Sequence, residues 1–407
     1  MRLLAPAAER AVAITLLVLV LAASPLLGLI TPYLVALICI GVWLATLLQG
    51  RLAAAYADLP SRLLLGVFVV LGVLFAVTAD APSDALRVFN FIMLLLFGPV
   101  ALLLAQRAGP DSAQRVAALA AIGVALGLLS ILWDLLVNGE SRPRGFNIGP
   151  IVLSNALLAI AFLALGAALV YRGRRSWLYA AVPLAAILAT LLTGSRGPLL
   201  AVPPLLLLSL VWFWRARFRG SPRIALWALG ALAVAAVLGF LLVQGRAATM
   251  LTILQQLAAG TAVVDETTRI RFALYEAGWQ AFLQSPWIGH GWANLMEAAT
   301  VHLRPEDVVF ARYPQLHNDF LNFAVAGGVV GVVCYLLILA TPLVGALVSP
   351  RDSLRTFRLY GASVLVVTYF FAGLTDLMFG FEFHTMLFVM LTAILLGYCR
   401  ERPPAPA

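Results

Sequence analysis

Apolar runs long enough to cross a bilayer recur from one end of this 407-residue chain to the other, and no other feature limits its fold as strongly. In lipid, every backbone N–H and C=O must be satisfied within the protein, which leaves helices and closed barrels. The runs are continuous rather than alternating, so the expected fold class is an all-α polytopic membrane protein. Hydrophobic residues make up 63% of the chain and charged residues 11%, about half the charged share of a soluble domain. We place about twelve spans, at residues 11–30, 33–49, 62–79, 85–106, 114–137, 149–171, 176–193, 197–214, 223–243, 317–344, 356–375 and 381–399. The expected organisation is a first block of nine spans in 1–243, a long loop over 244–316, three spans in 317–399 and a disordered Pro-rich tail over 400–407. The first run, with Arg2 and Arg10 before it and Ala22-Ala23-Ser24 after, has the outline of a signal peptide. Pro25 at the would-be cleavage point, and the spans that follow, favour an uncleaved helix.

The net charge of +9 rests on arginine alone, since the chain has no lysine. In a polytopic protein such an excess sets orientation and does not indicate nucleic-acid binding. One set of loops carries eighteen of the 27 arginines and the other set nine, which puts both termini in the cytoplasm and the 244–316 loop outside. His290, His302, His317 and His384 all fall on that outer side, as do Asp376 and Glu382. Ionisable groups at a boundary, with almost none near the expected midplane, suit chemistry on a lipid head group better than transport. Cys39, Cys334 and Cys399 are too scattered for a disulfide framework or a metal site.

Three stretches can carry chemistry. Thr193-Gly194-Ser195-Arg196-Gly197-Pro198 predicts a tight outer turn that presents Arg196 at the lipid boundary, with Leu200 four residues on. A guanidinium suits a phosphate, although an arginine at that level can equally be a snorkelling anchor. In the long loop, Phe272, Tyr275, Trp279 and Phe282 recur at helical spacing. They predict an amphipathic helix that starts near Thr267 or Thr268, ends before Pro286 and Gly289, and lies on the membrane surface. Arg269 and Arg271 flank its aromatic side, within reach of a diphosphate or of solvent. The third stretch, His317 to Gly331, predicts a helix with His317 in its first turn, where the positive helix end favours a neutral, proton-accepting ring. Ala324, Gly328 and Gly331 then form a small-residue seam on the histidine's face for a neighbouring helix. Asp376, Glu382 and His384 form a weaker cluster that can orient His317, bind sugar hydroxyls or cap helices, with structural roles expected for two of the three.

These stretches resemble the O-antigen ligase family. His317-Asn318, nine residues, Gly328, two residues and Gly331 look like the family's histidine motif. Arg196 with Leu200 looks like its outer-turn arginine motif. Arg271, Tyr275, Pro286, Gly289 and Gly291 look like its loop helix and the turn that ends it. The resemblance covers roughly residues 190–332 and leaves 1–180 similar in hydropathy only. It implies a GT-C-type glycosyltransferase fold and an undecaprenyl-diphosphate-linked glycan donor, with lipid A–core or another glycan as acceptor and no cofactor or metal ion. It further implies His317 as catalytic base, Arg196 and Arg271 at the donor diphosphate, and a periplasmic site in the bacterial inner membrane. Arg269 is our own addition to the diphosphate set, and Asn318 a possible support. A polymerase of O-antigen or exopolysaccharide with the same fold is the nearest alternative. A transporter of lipid-linked sugars is the alternative of another class.

Overall fold

The computed structural model describes residues 6–146, 148–218 and 266–401, and all regular structure among them is helical. The longer helices are α1 (Pro6–Val18), α2 (Thr31–Leu48), α3 (Leu59–Val77), α4 (Ile92–Ala105), α5 (Ser112–Leu136), α6 (Pro150–Leu165), α7 (Ala181–Leu192), α8 (Val202–Phe213), α9 (Glu266–Gln284), α10 (Leu295–Thr300), α11 (Asp319–Val348), α12 (Arg355–Gly373) and α13 (Glu382–Ala393). Among the described residues, eight helical runs are long and apolar enough to cross a membrane, and Leu178–Leu192 and Glu382–Tyr398 are shorter apolar helices. The chain is a multi-pass helical membrane protein.

The expected first and second spans form one run, Ala7–Leu48. Pro25 cannot donate a helical hydrogen bond, and the chain absorbs it through a π-helical turn at Leu19–Ala23 while Ser24 Oγ donates to Val20 O (2.7 Å). The expected ninth span, 223–243, lies outside the described residues, as do the boundary at 243/244 and the tail from 402 on. Of the helix starts, α3 is the best determined locally. The Asp58 carboxylate caps it by accepting from Ser61 N (2.8 Å), and Pro60 sits in its first turn. Helix α6 is buried on all sides from Leu153 to Leu165, as a helix apolar around its whole circumference must be, and it forms the centre of the bundle.

Helix α11 departs most from expectation. It is not one continuous rod with a seam for a neighbour. At Gly328 the backbone leaves helical geometry (φ 59°, ψ −150°), a conformation open to glycine and costly for any other residue. Such a break strips backbone groups of their helical partners, and the loop after α9 supplies replacements. His290 N donates to Val325 O (2.8 Å) and Gly291 N to Ala326 O (2.9 Å), while Val329 N donates to Pro286 O (2.8 Å) and Val330 N to Trp287 O (3.4 Å). A Cβ on Gly328 would lie 2.4 Å from Trp287 C, and one on Gly289 would lie 2.4 Å from Gly327 N. The element that approaches so closely is therefore the loop backbone. Gly331 serves the two halves of α11 themselves, since a Cβ there would sit 2.3 Å from Phe323 O.

Gly289→Ala combines that clash with a φ of 68°. We expect it to destabilise the protein by at least ~1–2 kcal/mol from backbone strain alone. Thermal unfolding of the detergent-purified variant checks this, and an unchanged midpoint would mean that the loop does not brace the break.

Candidate active site

Four helix ends meet at one end of the bundle: the C-termini of α7 and α12 and the N-termini of α11 and α13. What joins them is the short segment 374–379 between α12 and α13. Its contacts reach every stretch singled out in the sequence except Arg269.

His317 stands just outside α11 and not in its first turn, because Asn318 takes the cap. Asn318 Oδ1 accepts from Leu321 N (3.1 Å) and Asn318 O from Asn322 N (2.8 Å). The helix-end reasoning for the ring is thereby replaced by direct contacts. His317 Nδ1 lies 3.8 Å from Asp376 Oδ1, and the Gln315 amide N–H donates to that oxygen (3.2 Å) while its nitrogen stands 3.4 Å from Nδ1. Tyr313 packs edge-on against the imidazole, with ring centroids 5.4 Å apart. Among the described residues, His317 is the one non-glycine with positive φ (55°). Backbone strain of this kind persists only where surrounding contacts fix it. Those contacts are present: Leu316 N donates to Asn322 Oδ1 (3.0 Å), and the Tyr275 hydroxyl lies 2.9 Å from His317 O.

Burial alone would raise the Asp376 carboxyl. The His317 ring outweighs it together with His384, the Leu377 N–H and the Gln315 amide, so Asp376 is held below the usual carboxylate range. It is therefore ionised at neutral pH and faces Nδ1; a proton on Nδ1 points toward it and leaves the lone pair on Nε2, with the Gln315 amide donating to Asp376 alone. Asp319 has a separate task. Fully buried at the start of α11, its carboxylate accepts from Met378 N (2.8 Å) and Phe379 N (3.3 Å) and pins the 374–379 segment to α11.

Helix α9 runs Glu266–Gln284, close to its expected bounds. Its buried stripe is Ile270, Leu274, Ala277 and Ala281, of which Ile270, Leu274 and Ala281 cluster with Leu316, Leu321 and Val325. Phe272 and Trp279 stay exposed, next to Leu283, Trp287 and Ile288, which gives an apolar patch suited to a membrane surface. Tyr275 ties α9 to the site. Its single hydroxyl proton is shared between His317 O and Leu374 O (2.7 Å). Burial pushes its pKa up to about 12, with Arg271 near enough to counter part of the rise. The hydroxyl is thus a neutral donor at working pH. Tyr275→Phe leaves both carbonyls short of that donor, at a cost of about 1–3 kcal/mol. We expect a lower unfolding midpoint together with reduced turnover, and a variant unchanged in both would show the strap to be dispensable.

Arg196 comes to the same segment from another side. The Thr193–Ser195 turn is held by Ser154 Oγ to Thr193 Oγ1 (3.0 Å) and Thr193 Oγ1 to Ser195 Oγ (3.0 Å), with Gly194 at φ 69°. Gly197, next to Arg196, abuts Thr375, and a Cβ there would sit 2.6 Å from Thr375 Oγ1. The turn that carries Arg196 and the helix that carries Arg271 are thus anchored on the residues around His317 and its partner Asp376.

Arg269 is not part of this arrangement. It pairs with Asp307 (2.7 Å) and covers the Phe310 ring at 5.7 Å, so it braces the Pro305–Arg312 turn. Glu382 occupies the first turn of α13. His384 is fully buried, with its carbonyl accepting from Tyr369 (2.8 Å) and its ring packed among Phe381, Phe383 and Tyr369. Of the weak cluster, only Asp376 touches His317. Gln315 and Asp319 were missed in the sequence, although an acid after His-Asn at a helix start is the signal that could have found Asp319. Among the described residues, no three His, Cys, Asp or Glu side chains are grouped to hold a metal ion.

With this geometry in view, the match to known families is informative. The model of the O-antigen ligase family, Wzy_C, fits residues 180–336. Residues 180–336, under half of the chain, are thus similar to that family. That segment holds Arg196, Arg271, Tyr275 and His317, whereas Asp376 lies beyond it. Members of the family are glycosyltransferase-like enzymes, ligases or polymerases. No curated protein matches the chain.

Proposed function

We propose that this protein is an O-antigen ligase of the GT-C type. It transfers a glycan from undecaprenyl diphosphate to a sugar hydroxyl of lipid A–core, at the periplasmic boundary of the bacterial inner membrane. The observation that carries the reading is the 374–379 segment, where the histidine of one family motif meets the helix of Arg271 and the turn of Arg196.

In this reading the polyprenyl tail lies among the spans and the diphosphate at the membrane boundary. His317 Nε2 takes the proton of the acceptor hydroxyl as its oxygen attacks the anomeric carbon. The new C–O bond forms while the bond from that carbon to the diphosphate oxygen breaks, so the anomeric centre inverts. Arg196 and Arg271 stabilise the negative charge that grows on the departing undecaprenyl diphosphate. Asp376, itself held by the Gln315 amide, fixes the orientation of the ring, as a carboxylate does for a catalytic histidine elsewhere.

Purified protein supplied with a polyprenyl-diphosphate glycan and lipid A–core should form the ligated product, and EDTA should leave the rate unchanged. Lattice-like chains of joined repeats on the carrier would instead mark a polymerase, and donor movement across vesicles without bond formation a transporter. Asp376→Asn keeps the shape and removes the charge. We expect turnover to fall on the order of 10–100-fold with the fold intact, less than for loss of the base itself. Full turnover in that variant would remove Asp376 from the mechanism.

A further inference from the structure

We propose that the protein also binds an anionic phospholipid, in a groove at the bundle end opposite His317. The groove encloses about 670 Å³, within the range of ligand sites. Arg10, Ala13, Ile14, Leu17 and Val18 of α1 form one wall, and Arg115, Ala118 and Leu119 of α5 the other, with Arg107 and Tyr398 also lining it. A neighbouring hollow of about 450 Å³ shares Arg10, Ile14 and Arg107.

Its position follows from chain direction. Glu382 starts α13 beside the candidate active site, and Tyr398 ends the same apolar run, Glu382–Tyr398, on the far side of the bundle. The sorting of charge within the groove identifies the ligand. Arg10 lies in the second turn of α1, Arg107 just beyond α4, and Arg115 in the first turn of α5, so all three mark one membrane boundary. From Arg10 the α1 wall continues inward to Val18, roughly 12 Å at helical rise, and it is apolar throughout.

The lining contains three guanidinium groups and no carboxylate. Glu9 and Asp111 lie nearby but outside the lining. Glu9 pairs with Arg107 at 3.2 Å, and Asp111 is 4.0 Å from Arg115. Arg115 also donates to the Tyr398 hydroxyl (3.4 Å), which holds its guanidinium over the groove. A phosphate at the arginines with an acyl chain along Ile14, Leu17, Val18 and Leu119 satisfies both halves of this surface. A free phosphate would leave the apolar half uncovered. Basic pockets between helices at a membrane boundary bind anionic head groups on this principle.

Native mass spectrometry of the detergent-purified full chain tests it, with phosphatidylglycerol and phosphatidylcholine of identical acyl chains as probes. We expect the wild type to retain phosphatidylglycerol in preference to phosphatidylcholine. R10Q/R115Q, which leaves the Glu9–Arg107 pair in place, should bind phosphatidylglycerol on the order of 10-fold more weakly. R87Q/R142Q removes the same charge from exposed positions outside the groove and should bind like the wild type. If the double variant fails to fold, R10Q alone alters one exposed side chain and should still weaken binding several-fold. Equal retention by wild type, R10Q and R10Q/R115Q would overturn the proposal. So would displacement of the lipid by inorganic phosphate at millimolar concentration, since that would make the apolar wall irrelevant.

Discussion

His317→Ala is expected to yield a protein that folds, enters the membrane and binds donor, yet transfers glycan about 10²–10⁴-fold more slowly. The expected range is that of a lost general base. The fold should survive because what fixes this stretch does not depend on the imidazole. Asn318 caps α11, Asn322 holds Leu316, and Tyr275 bonds the backbone carbonyl of residue 317. Alanine inherits the φ of 55°, a strain that the native histidine already tolerates, whereas His317→Gly would relieve it. The pair of variants therefore separates stability from chemistry. Both should be slowed to that extent, and His317→Gly should unfold at a higher temperature than His317→Ala. Product formation near the wild-type rate by either one, measured on donor and acceptor in detergent, would remove His317 from the base role.

How much of this was legible in the sequence depends on the range of the interaction that decides it. The apolar helical runs among the described residues were legible because lipid forces each one to satisfy its own backbone, which leaves a local signal of length and hydropathy; that the first two expected spans form one run was not. The bounds of α9 were legible for the same reason, since Pro286 and Gly289 stop it locally. Gly328 announced an unusual backbone position but not its purpose. The groups that complete the break come from Pro286 to Gly291, about forty residues upstream, and no periodicity links the two stretches. The 374–379 segment was illegible because its backbone groups take partners from α9, α11 and the approach to α11. Two misplacements were avoidable. Asn318 is a strong cap, so the helix start belonged two residues later than the expected 317. Arg269 and Arg271 are two residues apart on a helix and so face opposite ways, and they could not both have served one ligand.

That opposition gives the sharpest comparison among the arginines. Arg196→Ala and Arg271→Ala should each lower kcat by about 10²–10³-fold, the usual effect of removing one preorganised donor from a developing anion. Arg269→Ala should change kcat less than about tenfold, because its guanidinium is engaged with Asp307 and Phe310, and its loss should appear mainly in the stability of the Pro305–Arg312 turn. All three changes remove one positive charge from the same end of the bundle, so a general electrostatic effect on an anionic donor would make them alike. Position alone predicts the split: Arg271 lies one turn before Tyr275, and Arg196 adjoins the glycine packed on Thr375. Arg196→Lys refines the point. It keeps the charge but loses the planar fork, and should recover only part of the activity. Arg196 and Arg271 act on one leaving group, so the double variant should lose less than the product of the two single losses. Should lysine at 196 restore full turnover, the residue is a membrane anchor. Should Arg269→Ala prove as damaging as Arg271→Ala, the loop contributes a diffuse positive field and the specific diphosphate contact has to be given up.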